Sequence, residues 1–374
     1  MMMTLLHPVK ANDDSPVQSQ DLRLIHDIWC GGVLLGTRYF DWQRFMRSFW
    51  LRLVGSIGVL TSVGLGTTLQ SIATPSPPHQ VVSWLSSQEY TAVQGTKISL
   101  IKPDGFTVAS NFSGFQQLDT GASILVAEIP NPYSQVAGGF TAENLKTRGM
   151  TLLSQEKVTI NGYSGQLLKV TQVANSIAYL KWIGVFGDET ETILITATLP
   201  QQLEKSLSQQ LQKSVLSAKW EKNRAVDPFA DLNFAIENPP SLKFTTRMVN
   251  TLLYTRDGEI PTKTPEAPFV VVGQSLQKVL VSNPKQFSET RLTQTAQIRD
   301  LSIESSREIS INGLKGYEIV ATAKDEKTAI PLVVYQVMLF DEQDYFILQG
   351  IVGANLRKEY LDDFQRMALS LKKK

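Results

Sequence analysis

Two short acidic clusters are the side chains of this sequence best suited to bind a metal ion. Carboxylate oxygens are ligands that Ca²⁺ and Mn²⁺ prefer. The spacing within each cluster differs from that of an EF-hand loop, and polar residues are also what a turn between two strands requires. We therefore predict polar turns and keep a metal site as the alternative. The residues concerned are Asp188, Glu189, Glu191, Asp341, Glu342 and Asp344.

Histidine and cysteine occur only near the amino terminus. His7, His26, His79 and Cys30 all precede the first predicted strand, so residues 96–374 contain neither residue type. This distribution excludes Ser–His–Asp and Cys–His catalysis, and the usual zinc sites, from that part of the chain. Paired carboxylates could still perform acid–base catalysis, but the spacing of the 35 acidic residues selects no pair. The sequence has no glycine-rich phosphate-binding loop, and we predict no cofactor.

Charge is balanced along the chain. The 36 Lys and Arg residues nearly match the 35 Asp and Glu residues, which gives a net charge of +1. Both signs are mixed throughout, and no basic stripe could follow a phosphate backbone. We therefore predict that the protein does not bind nucleic acid. The one basic run, residues 372–374, is interpreted as a solvated tail beyond a helix end.

An apolar segment near the amino terminus predicts export. Residues 53–73 carry no charge, four arginines precede them between residues 38 and 52, and the next basic residue is Lys97. The positive-inside rule then keeps the amino terminus in the cytoplasm and exports the rest of the chain. We expect an extracytoplasmic location, in a periplasm or a thylakoid-type lumen.

Two interpretations of this segment remain open. In one, translation starts at Met46, residues 46–73 are a signal peptide cleaved before Thr74, and residues 1–45 are an over-extended start. In the other, residues 46–73 form an uncleaved membrane anchor with aromatic side chains at the membrane interface. We favour the signal peptide because Gly, Ser and Thr dilute the apolar character of the segment.

The sequence contains an internal repeat. Residues 158–171 match residues 309–322 at a separation of 151 residues (309 − 158). Residues 188–195 match residues 341–348 at a separation of 153 (341 − 188). Each copy contains one Asn-Gly pair, the preferred sequence of a two-residue type I′ hairpin. The match continues into the terminal helices, so we infer a duplicated structural unit.

Hydrophobic periodicity predicts the same order of elements in both copies. β-Branched and apolar runs predict paired strands, and apolar residues at every fourth position predict a closing helix after them. The first closing helix is predicted to begin near Pro200, and Asn355 is predicted to cap the second. Shorter helices are predicted at residues 141–152 and 287–295. The predicted strands are 177–186, 192–198, 330–340 and 345–352.

These elements predict an α+β fold of two tandem units, each an antiparallel sheet flanked by helices in an α/β/α sandwich. We expect limited proteolysis to separate the units between residues 221 and 230. The predicted divisions of the chain are an extension at 1–45, a signal peptide or anchor at 46–73, a proline-containing linker at 74–95, a first unit at 96–220, a linker at 221–230 and a second unit at 231–374.

This order of elements resembles the PsbP-like family. The family has an opening strand pair, here residues 98–102 and 106–110 around Pro103, Asp104 and Gly105, followed by a helix, an Asn-Gly hairpin and a closing helix. Family members in photosynthetic organisms are lumenal factors associated with a photosystem, so the resemblance implies a binding or assembly role. The tandem duplication departs from the single-domain members of the family.

We expect a non-catalytic interaction or assembly factor that acts outside the cytoplasmic membrane. Its partner would be a protein, for example a membrane complex or a photosystem. The alternative is an enzyme or solute-binding protein with a site between the two units, which would use carboxylates instead of His or Cys. Carboxylates with shifted pKa values in a cleft would favour the enzyme or solute-binding protein. A flat, partly apolar surface would favour the interaction or assembly factor.

Overall fold

The computed structural model describes residues 89–374, with the exception of residues 175, 277, 278 and 343. The predicted extension and the predicted signal peptide or anchor lie outside this range, as do all three histidines and Cys30. No helix within the described range is long and apolar enough to cross a membrane.

Ten β-strands of the first unit lie in the described range. They are β1 (Tyr90–Ala92), β2 (Ile98–Ile101), β3 (Thr107–Val108), β4 (Gly114–Gln117), β5 (Ala122–Ile129), β6 (Met150–Ile160), β7 (Tyr163–Ala174), β8 (Ile177–Gly187), β9 (Thr192–Pro200) and β10 (Lys219–Trp220). Seven of them form one antiparallel sheet in the order β3-β4-β5-β9-β8-β7-β6. The central strands β8 and β9 are buried on both faces, in keeping with their nearly continuous apolar sequence.

Helices cover both faces of this sheet. α1 (Tyr133–Ala137) and α2 (Ala142–Lys146) pack on the face towards which Ile183 of β8 points. α3 (Glu204–Leu216) packs on the opposite face, where the indole N–H of Trp182 donates a hydrogen bond to a serine of the helix at 2.9 Å. Successive residues of β8 therefore point into different cores, as strand geometry requires.

The second unit repeats this arrangement. Its strands are β11 (Phe234–Ala235), β12 (Lys243–Met248), β13 (Thr251–Thr255), β14 (Phe269–Gln274), β15 (Ile298–Ile311), β16 (Leu314–Asp325), β17 (Pro331–Phe340), β18 (Tyr345–Gly353) and β19 (Lys372–Lys373). Seven of them form an antiparallel sheet in the order β12-β13-β14-β18-β17-β16-β15, which corresponds strand by strand to the first sheet. α4 (Pro284–Thr293) covers one face and α5 (Arg357–Leu369) the other. The predicted α+β fold of two units is confirmed.

The predicted Asn-Gly hairpins are present in both units. Asn161 and Asn312 have φ values of 52° and 48°, and the glycine after each also has a positive φ, as a type I′ turn requires. The asparagine side chains make a further contact. Asn161 Oδ1 accepts a hydrogen bond from the backbone N–H of Trp220, and Asn312 Nδ2 donates to the carbonyl of Leu371 at 2.7 Å. Each turn therefore anchors the segment that follows the closing helix.

The segment after each closing helix is a short strand. β10 pairs with β2, and β19 pairs with β11, so the last strand of each unit pairs with one of its first strands. Residues 372–374 are exposed beyond the helix end, as predicted, but Lys372 and Lys373 form a strand instead of a free tail. The backbone N–H of Lys374 donates to the carbonyl of Asn233 at 2.9 Å, and the buried side chain of Leu371 holds the strand against the core.

Both closing helices begin later than predicted. β9 continues through Pro200, which stays paired with Tyr179 of β8, and a 3₁₀ turn at Gln201–Leu203 precedes α3. Asn355 lies inside the equivalent 3₁₀ turn, Ala354–Leu356, and does not cap α5. The apolar periodicity that begins at residue 199 therefore includes the end of a strand as well as the helix.

The two shorter helices also differ from their predicted ranges. α2 ends at Lys146 instead of residue 152, because Gly149 adopts a φ of 68° and the chain then enters β6. α4 begins three residues before residue 287, where the Asn283 side chain caps it by accepting a hydrogen bond from the backbone N–H of Gln286 at 3.0 Å.

The opening strand pair implied by the family resemblance does not form. β2 pairs with β1 and β10, whereas β3 pairs with β4 in the large sheet. Serines near the end of α3 bind the backbone of Ile101: its N–H donates to Ser217 Oγ at 2.9 Å, and its carbonyl accepts from Ser214 Oγ at 2.7 Å. β2 is thus held by the closing segment instead of by β3. β1 lies within the range predicted as the linker 74–95.

The two units share an apolar core. One cluster of buried side chains contains Leu125 and Leu194 from the first sheet together with Leu253 and Val271 from the second. Ile260, from the loop between β13 and β14, also packs against this cluster. Burial of this shared surface couples the two units, and we expect them to unfold together.

Two arginines hold the segment between the units. Arg224 lies in that segment and donates to the carbonyl of Ile98 in β2 at 3.0 Å. Arg247 of β12 donates to the carbonyl of Ala230 at 2.6 Å. The segment 221–230 therefore contacts both units through its backbone and side chains.

Candidate functional site

The first acidic cluster forms the turn between β8 and β9. The carboxylate of Asp188 accepts hydrogen bonds from the backbone N–H groups two and three residues later, and it pairs with Lys222. Partial burial alone would raise the pKa of Asp188, but these donors hold it well below its usual range. Glu191 pairs with Lys97 Nζ at 2.7 Å, and Glu189 is exposed.

The second acidic cluster forms the equivalent turn between β17 and β18. Asp341 pairs with Lys373 of β19, and this contact lowers the pKa of Asp341. Asp344 accepts a hydrogen bond from Ser275 Oγ at 3.1 Å, and Glu342 is exposed. In both turns, a lysine that follows the closing helix pairs with the first carboxylate. The turns are therefore attached to the carboxyl-terminal end of their own units.

The acidic residues of each turn are directed to different partners. Within the described range, no group of three or more His, Cys, Asp or Glu side chains is arranged to hold a metal ion. Paired lysines also reduce the negative potential that a cation would require. A Ca²⁺ or Mn²⁺ site at these turns stays the alternative to polar turns, and a cation titration can test it.

A half-buried carboxyl group lies near the junction of the two units. Burial raises the pKa of Glu128, and its Oε1 accepts a hydrogen bond from the backbone N–H of Lys97 at 2.7 Å. Arg224 and Arg247 contribute positive charge around it. A carboxyl group with a raised pKa is a candidate general acid. Here its hydrogen bond ties the segment before β2 to β5, which is a structural role.

A buried lysine marks a second candidate site. Lys181 lies in the middle of β8, two residues before Ile183, so it points to the face that α1 and α2 cover. Its side chain is fully buried. Burial lowers the pKa of Lys181 from 10.5 to about 7, because removal from water disfavours the charged form.

Polar side chains surround Lys181 on the same face of the sheet. Thr198 of β9 lies directly opposite Lys181, and Ser123 of β5 lies directly opposite Thr198. Thr196 and Gln172 are diagonal neighbours of Lys181, two residues along from its partners on β9 and β7. We call Ser123, Gln172, Lys181, Thr196 and Thr198 the Lys181 cluster.

Four members of the Lys181 cluster bury polar atoms that make no hydrogen bond within the described structure. These atoms are the hydroxyl oxygens of Ser123, Thr196 and Thr198 and the Oε1 of Gln172. A buried polar group without a partner costs about 1–3 kcal/mol, whereas a whole domain is stable by only about 5–15 kcal/mol. Within the described structure these atoms gain no hydrogen bond that offsets the cost of burial, which is typical of a functional site.

The second unit shows that the fold does not need polar residues at these positions. Lys181 and Val334 are equivalent, because each is paired with the corresponding residue of the next strand, Thr198 in β9 and Ile351 in β18. Thr196 has a polar equivalent, Gln349. The remaining equivalent pairs, read from the same strand registers, are Ser123 with Phe269, Gln172 with Ala323 and Thr198 with Ile351.

The sequence contains a signal for this site that the motif analysis did not use. Lys181 interrupts an otherwise apolar run from residue 179 to residue 186, and Val334 stands at the same place in the repeat, 153 residues later (334 − 181). A position-by-position comparison of the two copies would have identified a charged residue at a core position. The predicted acidic residues instead lie in the turns at the ends of the strands.

Neither a protein-family model nor a curated protein matches this sequence. Solved structures with a similar fold include LpqN of Mycobacterium tuberculosis, a protein involved in cell envelope biogenesis. It aligns over 37% of this chain and 82% of its own, with 9% identity and a TM-score of 0.29. The cyanobacterial PsbP of Synechocystis sp. PCC 6803 aligns over 38% of this chain and 98% of its own, with 13% identity and a TM-score of 0.27.

A further solved structure aligns over more of the chain. The apo form of the immunity protein TplEi of Pseudomonas aeruginosa aligns over 72% of this chain and 97% of its own, with 12% identity and a TM-score of 0.28. At these identities and scores, the similarities assign no family, function or partner to this chain.

Proposed function

We propose that this protein is a non-catalytic binding protein that acts outside the cytoplasmic membrane. The observation that carries the proposal is the Lys181 cluster. At four of the five positions of the Lys181 cluster, the first unit buries a polar side chain where the second unit buries an apolar one. The same sheet forms without these polar residues, so their cost in stability is best explained by a ligand that contacts them.

The residue types favour binding over catalysis. Residues 96–374 contain no His and no Cys, so histidine general bases and thiol nucleophiles are missing from them. Asp188 and Asp341 are each paired with a lysine, and Glu128 binds a backbone N–H group. The enzyme alternative would require carboxylates that are available to a substrate, and these three are committed to structural contacts.

The extracytoplasmic location rests on the sequence. The arginines between residues 38 and 52, followed by the uncharged residues 53–73, support export of the remainder by the positive-inside rule. A reporter enzyme that is active only outside the cytoplasm, fused after residue 95, should be active. Activity of a matched cytoplasmic reporter at the same position would contradict the proposed location.

Native mass spectrometry tests the binding role. The chain, purified from its own cells without denaturation, should carry a bound species of defined mass. A Lys181→Met, Thr198→Val double variant should lose that species, whereas Lys205→Met, which removes an exposed lysine of α3, should keep it. An unmodified chain with no bound species, or a double variant that keeps it, would contradict the proposal.

A protein partner is a second candidate, and the free edges of the sheets favour it. β6 and β15 are equivalent terminal strands of 11 and 14 residues, and most of their side chains are at least partly exposed. A terminal strand can accept a strand from another protein. Both strands also contain bulges, which are a common protection against unwanted pairing. Strand addition by a protein partner at β6 or β15 is therefore tested directly.

Affinity capture combined with hydrogen–deuterium exchange provides that test. A captured partner that uses these edges should protect backbone amides of β6 or β15 from exchange. The opposite edge strands, β3 and β12, serve as the internal control and should be unaffected. Protection confined to β3, β12 or the helices would exclude strand addition at β6 and β15.

A further inference from the structure

The geometry of the Lys181 cluster defines the kind of ligand that would fit it. Ser123, Thr198 and Lys181 lie in one row across three neighbouring strands. Directly opposite residues of antiparallel strands have Cβ atoms about 4.5–5.5 Å apart. Thr196 points to the same face two residues before Thr198. Three hydroxyls and one amino group therefore lie on one face of the sheet, with the Cβ atoms of Ser123 and Lys181 about 10 Å apart and Thr198 between them.

The chemistry of these groups favours an anion. Hydroxyls and an ammonium group can all donate hydrogen bonds, and the ammonium group also supplies positive charge. A metal cation would be repelled by the charged lysine, and an apolar ligand would leave the hydroxyls without partners. An oxyanion has several acceptor oxygens on one centre, which matches donors that converge from neighbouring strands.

We infer that the Lys181 cluster binds one small oxyanion, either a carboxylate or a phosphate group. The inference rests on the binding role proposed above and names its ligand class. Lys181 supplies the charge, and the hydroxyls of Ser123, Thr196 and Thr198 donate to the oxygens. At the equivalent place in the second unit, the apolar residues Phe269, Val334 and Ile351 stand where the first unit has Ser123, Lys181 and Thr198.

Isothermal titration calorimetry of the full-length chain tests this inference. Inorganic phosphate and acetate are titrated separately, in a chloride buffer of constant ionic strength. At least one of them should bind saturably at one site per chain, and the probe that binds distinguishes a phosphate ligand from a carboxylate ligand. Absence of saturable binding by both probes would overturn the inference.

Variants locate the site. Lys181→Met and Thr198→Val should each weaken binding by about tenfold or more, the effect of losing one hydrogen bond to a charged group. Thr159→Val, an exposed threonine of β6, should leave binding unchanged. Both substitutions introduce an apolar residue, and the equivalent residues of the second unit, Val334 and Ile351, are also apolar. The two variants should therefore fold, which circular dichroism verifies. Undiminished binding by both folded test variants would place the anion elsewhere and refute the inference.

The two proposals can fail separately. A neutral or cationic species found by native mass spectrometry and lost in the double variant would support the binding role and overturn the oxyanion inference. Saturable phosphate or acetate binding that requires Lys181 and Thr198 would support the oxyanion inference. If native mass spectrometry detects no ligand and neither probe binds, both proposals are wrong.

Discussion

Replacement of Lys181 by methionine should change how the stability of the protein depends on pH. Burial lowers the pKa of Lys181 to about 7 in the folded state, whereas an unfolded chain keeps a value near 10.5. The unfolded chain therefore binds more protons between these values, so stability rises with pH across that range. Methionine has a similar shape and no titratable group, so it removes this contribution.

The size of the effect follows from the two pKa values. The buried lysine costs the folded state about 4 kcal/mol at pH 7 and about 2 kcal/mol at pH 9. Lys181→Met should therefore be more stable than the unmodified protein at pH 7, and its advantage should shrink by about 2 kcal/mol by pH 9. The unpaired hydroxyls are present in both proteins, so their cost cancels in the comparison.

Urea unfolding followed by circular dichroism measures this difference. Both proteins are unfolded at pH 7, 8 and 9 in Tris–chloride, which contains no oxyanion. Lys205→Met is the control, because that lysine is exposed on α3, and it should follow the pH dependence of the unmodified protein. If Lys181→Met kept the same pH dependence, or were less stable at pH 7, the reasoning from burial would be refuted.

Four further predictions concern the hairpins, the acidic turns and the linker. Gly313→Val should destabilise the protein by about 1–3 kcal/mol in urea unfolding, because a β-branched residue is strained at a φ of 87° although the space around it is open. Asp188→Asn should lower stability at pH 7 and reduce the further loss on acidification. A carboxylate with a depressed pKa stabilises the fold above the unfolded value near 3.8, and this contribution is lost as the pH falls through the lower folded value. Millimolar Ca²⁺ or Mn²⁺ should leave the thermal midpoint unchanged, since the carboxylates of each turn have other partners. Arg224→Ala should accelerate cleavage by subtilisin between residues 221 and 230, because it releases that segment from β2.

Matched controls make these outcomes decisive. Gly313→Asn should be tolerated, since asparagine accepts positive φ, and equal losses for Asn and Val would exclude backbone strain as the cause. Glu189→Gln changes an exposed neighbour in the same turn and should leave the loss of stability on acidification unchanged. If Asp188→Asn lost as much stability on acidification as the unmodified protein, the pairing of Asp188 with Lys222 would be contradicted. A cation-induced rise in the thermal midpoint that Asp188→Asn abolishes would establish a metal site. If subtilisin cleaved the linker of the unmodified protein as fast as that of Arg224→Ala, the arginine would not protect the linker. Asn223→Ala is the control and should be cleaved at the rate of the unmodified protein.

The parts of the fold that local chemistry determines were accessible from the sequence. Asn-Gly pairs specify hairpins through backbone conformation, and the repeat showed that the elements occur twice. The pairing of β2 with β10 was not accessible, because it joins residues at opposite ends of a unit and has no local signature. The start of α3 was misplaced for a related reason. Pro200 suits both a helix start and a strand end, and its partner in β8 decides between them.

The candidate site was harder to predict than the fold. Acidic turns attract attention because carboxylates are dense there, but the structure connects them to Lys222 and Lys373, which are distant in sequence. Lys181 carries a sequence signal only when it is compared with Val334 of the second copy. The hydroxyls around it come from two neighbouring strands, β5 and β9, so their proximity to Lys181 depends on a strand register that sequence periodicity does not define.

The short strands that close each unit have a consequence for how the chain acquires its structure. Trp220 pairs with Ile98, and Lys373 pairs with Phe234, so each unit is completed by the last residues of its own segment. A chain that emerges from its amino-terminal end must hold β2 without β10, one of its two partner strands, until residue 220 has appeared. Such long-range closure slows folding, since the loop must be ordered before the contact forms. Shortening the chain by only three residues would remove β19 and leave the second unit open.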